Sequence, residues 1–216
     1  KEYRLAFWLN VPAARQPFVV VARDPHARLR RYVLPDGSLP PASSPAVLLV
    51  PPLMVTAEIY DVSADSSGVG ALLERGLAPW VVDFGAPERE AGGMKRTLDD
   101  HVLAVSRAID VVREITGRDV HLAGYSQGGM FCYQVAALRR SEGVASIVTF
   151  GSPVDLHRGV PAVHSDAIEV LTRALGPALG KLLDRIEGLP AELTSTGFKL
   201  ITPAKEIQQR LDFVRK

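Results

Sequence analysis

Short, continuous apolar runs alternate along this chain with longer stretches whose apolar positions recur at helical spacing. Ala46-Val47-Leu48-Leu49-Val50 is uninterrupted, as a central strand covered on both faces should be, and it ends abruptly at Pro51-Pro52. Ala78 to Gly85 predicts another buried strand, stopped by glycine, with Asp83 at its carboxyl end. Arg118 to Ala123 ends in a buried-strand pattern, and Val144 to Phe150 predicts one more buried strand before Gly151-Ser152-Pro153. Upstream, Phe18-Val19-Val20-Val21-Ala22 and Leu29 to Leu34 flank Asp24-Pro25-His26, which predicts an antiparallel hairpin at a sheet edge. A Pro/Ser-rich linker runs from Pro35 to Pro45.

Helical patterns fill the intervals. One is expected over roughly Ala57 to Arg75. Thr97-Leu98-Asp99-Asp100 reads as a capping box with aspartate as its acid, followed by Val102, Val105, Ile109, Val112 and Ile115 on one helical face. Met130 to Leu138 is built of good helix formers. Such alternation predicts an α/β fold: a mostly parallel sheet with right-handed crossovers, wound on both faces, with ligands at the carboxyl ends of its strands. No internal repeat is visible. Beyond Asp155 the texture changes, and Ile168, Leu171, Leu175, Leu179, Leu182, Leu183 and Ile186 give an apolar face across Asp166 to Gly188, interrupted at Gly176-Pro177. The expected division is a core over 1–155 and a helical lid over 156–216. An ordinary helical layer on the sheet, or a helix contacting a membrane or lipid surface, explains the same face.

Composition narrows the function classes. The 216 residues are enough for one domain with a sizeable core, and 47% hydrophobic and 23% charged residues are those of an ordinary globular chain. A formal charge of +1 supplies no electrostatic reason to bind nucleic acid. The single cysteine, Cys132, has no internal disulfide partner and falls in an apolar helical stretch, as a small buried hydrophobe would in a reducing, cytoplasmic compartment. No run of residues has the length and apolarity of a membrane-spanning helix. Lys1-Glu2-Tyr3-Arg4-Leu5 lacks an initiator methionine, and Gln208 to Lys216 stops inside an amphipathic pattern, so the chain is expected to continue covalently beyond Lys216.

The most specific chemistry lies in Gly124-Tyr125-Ser126-Gln127-Gly128-Gly129, a serine between glycines where a strand pattern passes into a helix pattern. This is the layout of a nucleophile elbow. Side chains at 124 and 128 would block the close approach of strand and helix, while the serine stands at the tip. The competing explanation is a tight turn whose serine caps the helix.

Four blocks together carry a family likeness: Leu48 to Met54, Asp83-Phe84-Gly85-Ala86-Pro87, Thr97 to Asp100, and Gly124 to Gly129. In these the chain resembles the α/β-hydrolase superfamily and, within it, the polyhydroxyalkanoate synthase-like branch, from about Phe18 to Asp155. It also looks like the amino-terminal part of bifunctional proteins described as long-chain acyl-CoA synthetase plus lipase. The resemblance implies an α/β-hydrolase fold with later strands missing here, and a cysteine at the elbow of the polymerising synthases where this chain has Ser126. A serine ester is more naturally released to water than a thioester, which favours hydrolysis or simple acyl transfer over polymerisation.

The expected activity is therefore that of a serine esterase, lipase or thioesterase acting on lipid-like acyl esters through an acyl-Ser126 intermediate. Alternatives are an acyltransferase and a silent domain that binds acyl chains or scaffolds a larger protein. The oxyanion hole would use the backbone N–H of Gln127 and a second from the loop after Val50, where Pro51 and Pro52 have none to give and Leu53 or Met54 is next. The apolar side chains of that loop suggest an acyl-binding wall, or residues simply tucked on the core. The resemblance places the catalytic acid and histidine after the nucleophile, beyond Lys216. Within the chain the candidates are Asp155, otherwise a turn aspartate bonding its own backbone, and His157, otherwise a solvated loop histidine. His121 is expected in the core, and His26 and His101 at a turn and on a helix surface. No metal-ligand spacing, P-loop or dinucleotide fingerprint is present, so neither metal nor cofactor is expected.

Overall fold

The structure is a computed structural model, in which residues 15–53, 55–87, 92–154 and 174 are described. The chain divides into two units, Lys1–Leu156 and His157–Lys216, and the description below concerns the first. Of the expected lid region, Asp166 to Gly188, only Ala174 is described, and it is helical.

β1 (Phe18–Arg23) and β2 (Arg28–Tyr32) form the antiparallel hairpin at one edge of a six-stranded sheet. Asp24 closes the turn by accepting from the N–H groups of His26 and Ala27. β3 (Ala46–Val50) lies centrally with every residue buried. After it come β4 (Asp61–Ser63) and β5 (Ser66–Ser67), then helix α1 (Gly68–Glu74) and β6 (Ala78–Asp83). Helix α2 (Leu98–Thr116) leads to β7 (Val120–Tyr125), and α3 (Gln127–Leu138) to β8 (Val144–Phe150). The strand order is β1-β2-β6-β3-β7-β8, with β6, β3, β7 and β8 parallel.

Alternation along the strands feeds two apolar layers. Leu48, Val50, Trp80, Val82 and Leu122 meet Val105, Ile109 and Val112 of α2 and Phe131 and Val135 of α3 on one face. Val47, Leu49, Val81 and Ala123 meet Val69 and Leu73 of α1 on the other. Because neighbouring residues of β3 enter opposite layers, its sequence reads as an unbroken apolar run. α2 starts at the anticipated capping box: the Thr97 hydroxyl accepts from Asp100 N–H, and the Asp100 carboxylate accepts from Thr97 N–H at 2.8 Å. It ends at Gly117 in the left-handed region, φ 67°.

Several expectations are corrected. The helix over Ala57 to Arg75 is instead a 3-10 turn at Ala57–Tyr60, the small β4–β5 sheet, and α1. Asp61, Ser63, Asp65, Ser66 and Ser67 favour turns over helix interior, and Ser67 starts α1 by accepting from Gly70 N–H. In β8, expected to be buried, Val148 and Phe150 are exposed, and among the described residues no residue of β8 joins the layer containing α1. Ile115 is exposed in the last turn of α2. His101 is not on the helix surface but buried between the rings of Phe84 and Phe131, its Nδ1–H donating to the Thr97 carbonyl at 2.6 Å. His121 is half-buried rather than in the core, with Nδ1 2.8 Å from the Ser146 hydroxyl.

Arg30 carries a buried charge into the sheet. The buried Arg30 guanidinium donates to Asp83 Oδ2 from Nε at 3.0 Å and from Nη2 at 2.6 Å, and to Glu58 Oε1 at 2.9 Å. Asp83 ends β6 as foreseen and accepts also from Gly85 N–H and from Arg28 of β2. Burial disfavours the Glu58 carboxylate, but hydrogen bonds from Thr56 and Arg30 outweigh this and hold its pKa down at about 2. A depressed carboxylate stabilises the fold above its ordinary pKa of 4.5 and loses that contribution as pH falls towards 2. Stability measured by urea unfolding should therefore drop across that window, and Glu58→Gln should flatten the drop. Other lowered carboxylates, Asp24 among them, titrate in the same range, so the difference between the two profiles is the quantity to read.

Candidate active site at the β7–α3 turn

Ser126 joins β7 to α3 with φ 53° and ψ −121°. Left-handed backbone at a residue with a Cβ costs of order 1–3 kcal/mol and persists only where its surroundings over-determine it. Here they do. Ser126 N–H donates to the Phe150 carbonyl of β8 at 2.8 Å, and its own carbonyl accepts from Gly129 N–H at 3.0 Å. One residue earlier, Tyr125 N–H donates to the Tyr60 hydroxyl at 3.1 Å, and that hydroxyl donates to the Val50 carbonyl at 2.7 Å.

The glycines act as the sequence suggested. A Cβ on Gly128 would fall on the Val50 carbonyl oxygen, one on Gly124 would lie 2.5 Å from Gly129 Cα, and one on Gly129 would run into the side chains of Ser152 and Thr149. Helix α3 thus begins with its backbone against the end of β3, and Ser126 caps it without a side-chain hydrogen bond to the helix. Its hydroxyl is not consumed as a cap. The positive end of the α3 dipole lies at this same point and favours negative charge there.

Gln127 is the first residue of α3, so its N–H has no carbonyl within the helix to bond. The structure brings Gln127 together with Leu53: the Leu53 N–H donates to Gln127 Oε1 at 3.2 Å. The Leu53 side chain is partly buried and packs against the core beneath α2 and α3. Met54, Asp155 and His157 lie outside the described residues. Of the described histidines, none is hydrogen-bonded to the Ser126 hydroxyl; His26 sits 3.6 Å from Asp100, and His101 and His121 have the partners given above. Cys132 is wholly buried behind the turn, and burial pushes its thiol up to about 12. Among the described residues no group of acidic, histidine or cysteine side chains is arranged to hold a metal, and no helix is long and apolar enough to cross a membrane.

Two contributors were not visible in the sequence. Tyr60 bridges residues 10 and 65 positions away, a pairing that exists only once β3 and β7 lie side by side. The Gln127 carboxamide likewise meets a backbone group 74 positions away. The Asp83-Phe84-Gly85 block, legible as a strand end, ties β6 to β2 rather than reaching the turn.

The sheet order, the crossovers and the serine at the strand-to-helix turn define an α/β-hydrolase fold. Rv0554 from Mycobacterium tuberculosis superposes with a TM-score of 0.52 at 17% identity, over 85% of this chain and 58% of that one. In sequence the chain is similar to poly(3-hydroxyalkanoate) polymerase subunits. It is 34% identical over 129 residues to the poly(3-hydroxyalkanoate) polymerase subunit PhaC of Allochromatium vinosum, covering 59% of this chain and 35% of that protein. With the subunit of the same name from Haloferax mediterranei it shares 29% identity over 200 residues, covering 91% and 38%. The chain thus spans little more than a third of the length of these curated relatives. No protein-family model matches it.

Replacing Tyr60 by Phe strips a partner from two backbone groups, Tyr125 N–H and Val50 C=O, while leaving the ring in place. A loss of about 1–3 kcal/mol is expected in urea unfolding, the range for burying an unsatisfied polar group.

Proposed function

We propose that this chain carries the nucleophile of a serine hydrolase acting on lipid-like acyl esters or thioesters. The observation that carries the reading is Ser126 itself: left-handed backbone at the tip between β7 and α3, held from both sides, with a hydroxyl left unused as a cap. In this reading the Ser126 Oγ attacks the acyl carbonyl carbon while its proton passes to a base. The oxyanion is met by Gln127 N–H at the positive end of α3, and a second donor is Leu53 N–H. Collapse of the adduct expels the alcohol or thiol, and water then releases the acyl group from the serine. The base is a histidine supplied from outside the described residues.

Acyl transfer is the second reading, favoured by the similarity in sequence to polymerase subunits. Polymerisation through a thiol is disfavoured, since the one cysteine is buried with its thiol pushed to about 12, far from the thiolate a nucleophile requires. The soluble, cytoplasmic setting and a lipid-surface contact through 156–216 remain part of this proposal.

Ser126→Ala should abolish both ester turnover and adduct formation with a fluorophosphonate while leaving the unfolding midpoint within about 0.5 kcal/mol of the parent. Persistence of turnover would remove Ser126 from the role, and a folded parent that never labels would favour the silent acyl-binding domain. Hydrolysis and transfer separate in a competition: with an acyl thioester in water containing an alcohol acceptor, free acid should dominate the products. A majority of new ester would make the chain an acyltransferase.

A further inference from the structure

We propose that the Gln127 side chain is a resident plug of the oxyanion hole, an inference that rests on the serine-hydrolase reading above. The loop after β3 offers few donors, because Pro51 and Pro52 have no N–H and Leu53 is the first residue able to donate. A backbone amide carries one hydrogen, and that of Leu53 is already directed at Gln127 Oε1, 3.2 Å away. Gln127 therefore presents one oxyanion donor through its backbone and covers the other with its carboxamide. The covering oxygen is an sp² carbonyl oxygen, the same acceptor type as the substrate atom it excludes.

Displacement is a one-for-one exchange. The Leu53 N–H releases Oε1 and takes the substrate oxygen, while the carboxamide turns away about its own side-chain torsions and the backbone stays fixed at the start of α3. The bond being broken is neutral and lies at the long end of the usual range, whereas the one formed to an oxyanion is charge-assisted and stronger. The plug thus yields to a developing oxyanion but keeps water and weak acceptors from the donor. The rate of attack by Ser126 is reduced by the factor needed to free the amide, about two- to tenfold for one neutral hydrogen bond.

The test measures, on the full-length protein, the second-order rate of labelling by a long-alkyl fluorophosphonate and the hydrogen exchange of the Leu53 amide by NMR. In Gln127→Ala, which keeps the backbone donor, labelling should accelerate about two- to tenfold and Leu53 exchange should speed by a similar factor. Gln127→Glu should label more slowly than the parent, because a carboxylate holds the amide more tightly and repels the oxyanion. A side chain that merely supports the loop gives the opposite sign, slower labelling in Gln127→Ala. A parent that labels, with a Gln127→Ala variant that labels no faster, overturns the plug alone. If neither labels while Leu53 exchange still depends on residue 127, the nucleophile reading is what fails, and the plug's role falls with it. Unchanged Leu53 exchange overturns the plug whatever the labelling.

Discussion

The close approach of the α3 backbone to the end of β3 is the constraint on which the rest of this edge of the sheet depends. With no side chain at 128, the first turn of α3 rests against the Val50 carbonyl, and nothing larger fits. A helix starting that near its strand leaves one residue, Ser126, to reverse the chain, and the reversal needs left-handed backbone. The strain is local and modest, of order 1–3 kcal/mol, and the hydrogen bonds to Phe150 and Gly129 hold the conformation against relaxation. A hydroxyl not used as a cap, a free N–H at Gln127 and the positive end of a helix then coincide as consequences of one packing decision.

Polar side chains inside an otherwise apolar sheet hold its parts in register. Arg30 joins the antiparallel hairpin to the carboxyl end of β6 through Asp83 and reaches Glu58 in the segment after β3. Two residues further on, Tyr60 joins the end of β3 to the end of β7. Burial raises the Tyr60 phenol above its ordinary pKa, so it stays protonated and keeps both bonds. The segment Ala57–Tyr60, a short 3-10 turn, thus connects two polar contacts on either side of the central strand.

Ser126, the N-cap of α3, and Cys132, in the middle of the same helix, lie in opposite environments. The serine stands at a turn with its polar group available, while the thiol is packed among Phe131, Val135 and the sheet, where its ionised form is disfavoured. Similarity to polymerase subunits in sequence and to α/β-hydrolases in fold meets a chain that offers a hydroxyl, not a thiol, at the turn.

Much of this molecule was legible locally. The apolar run of β3, the capping box of α2, the edge hairpin and the glycines flanking Ser126 follow from backbone sterics and short-range periodicity, which act within a few residues. The reading failed where longer-range packing decides. His101 looks like a helix-surface residue in sequence, and only the arrival of Phe84 and Phe131 on either side buries it. The apolar pattern of β8 promised burial that depends on how far the covering layer extends. By itself the sequence determined the alternation of strand and helix and the serine at their turn, because those are set by side-chain period and glycine spacing. Tertiary structure alone decided that Tyr60 pins the turn and that Gln127 covers Leu53, because each hydrogen bond joins groups far apart in the chain that meet only when β3 and β7 pair.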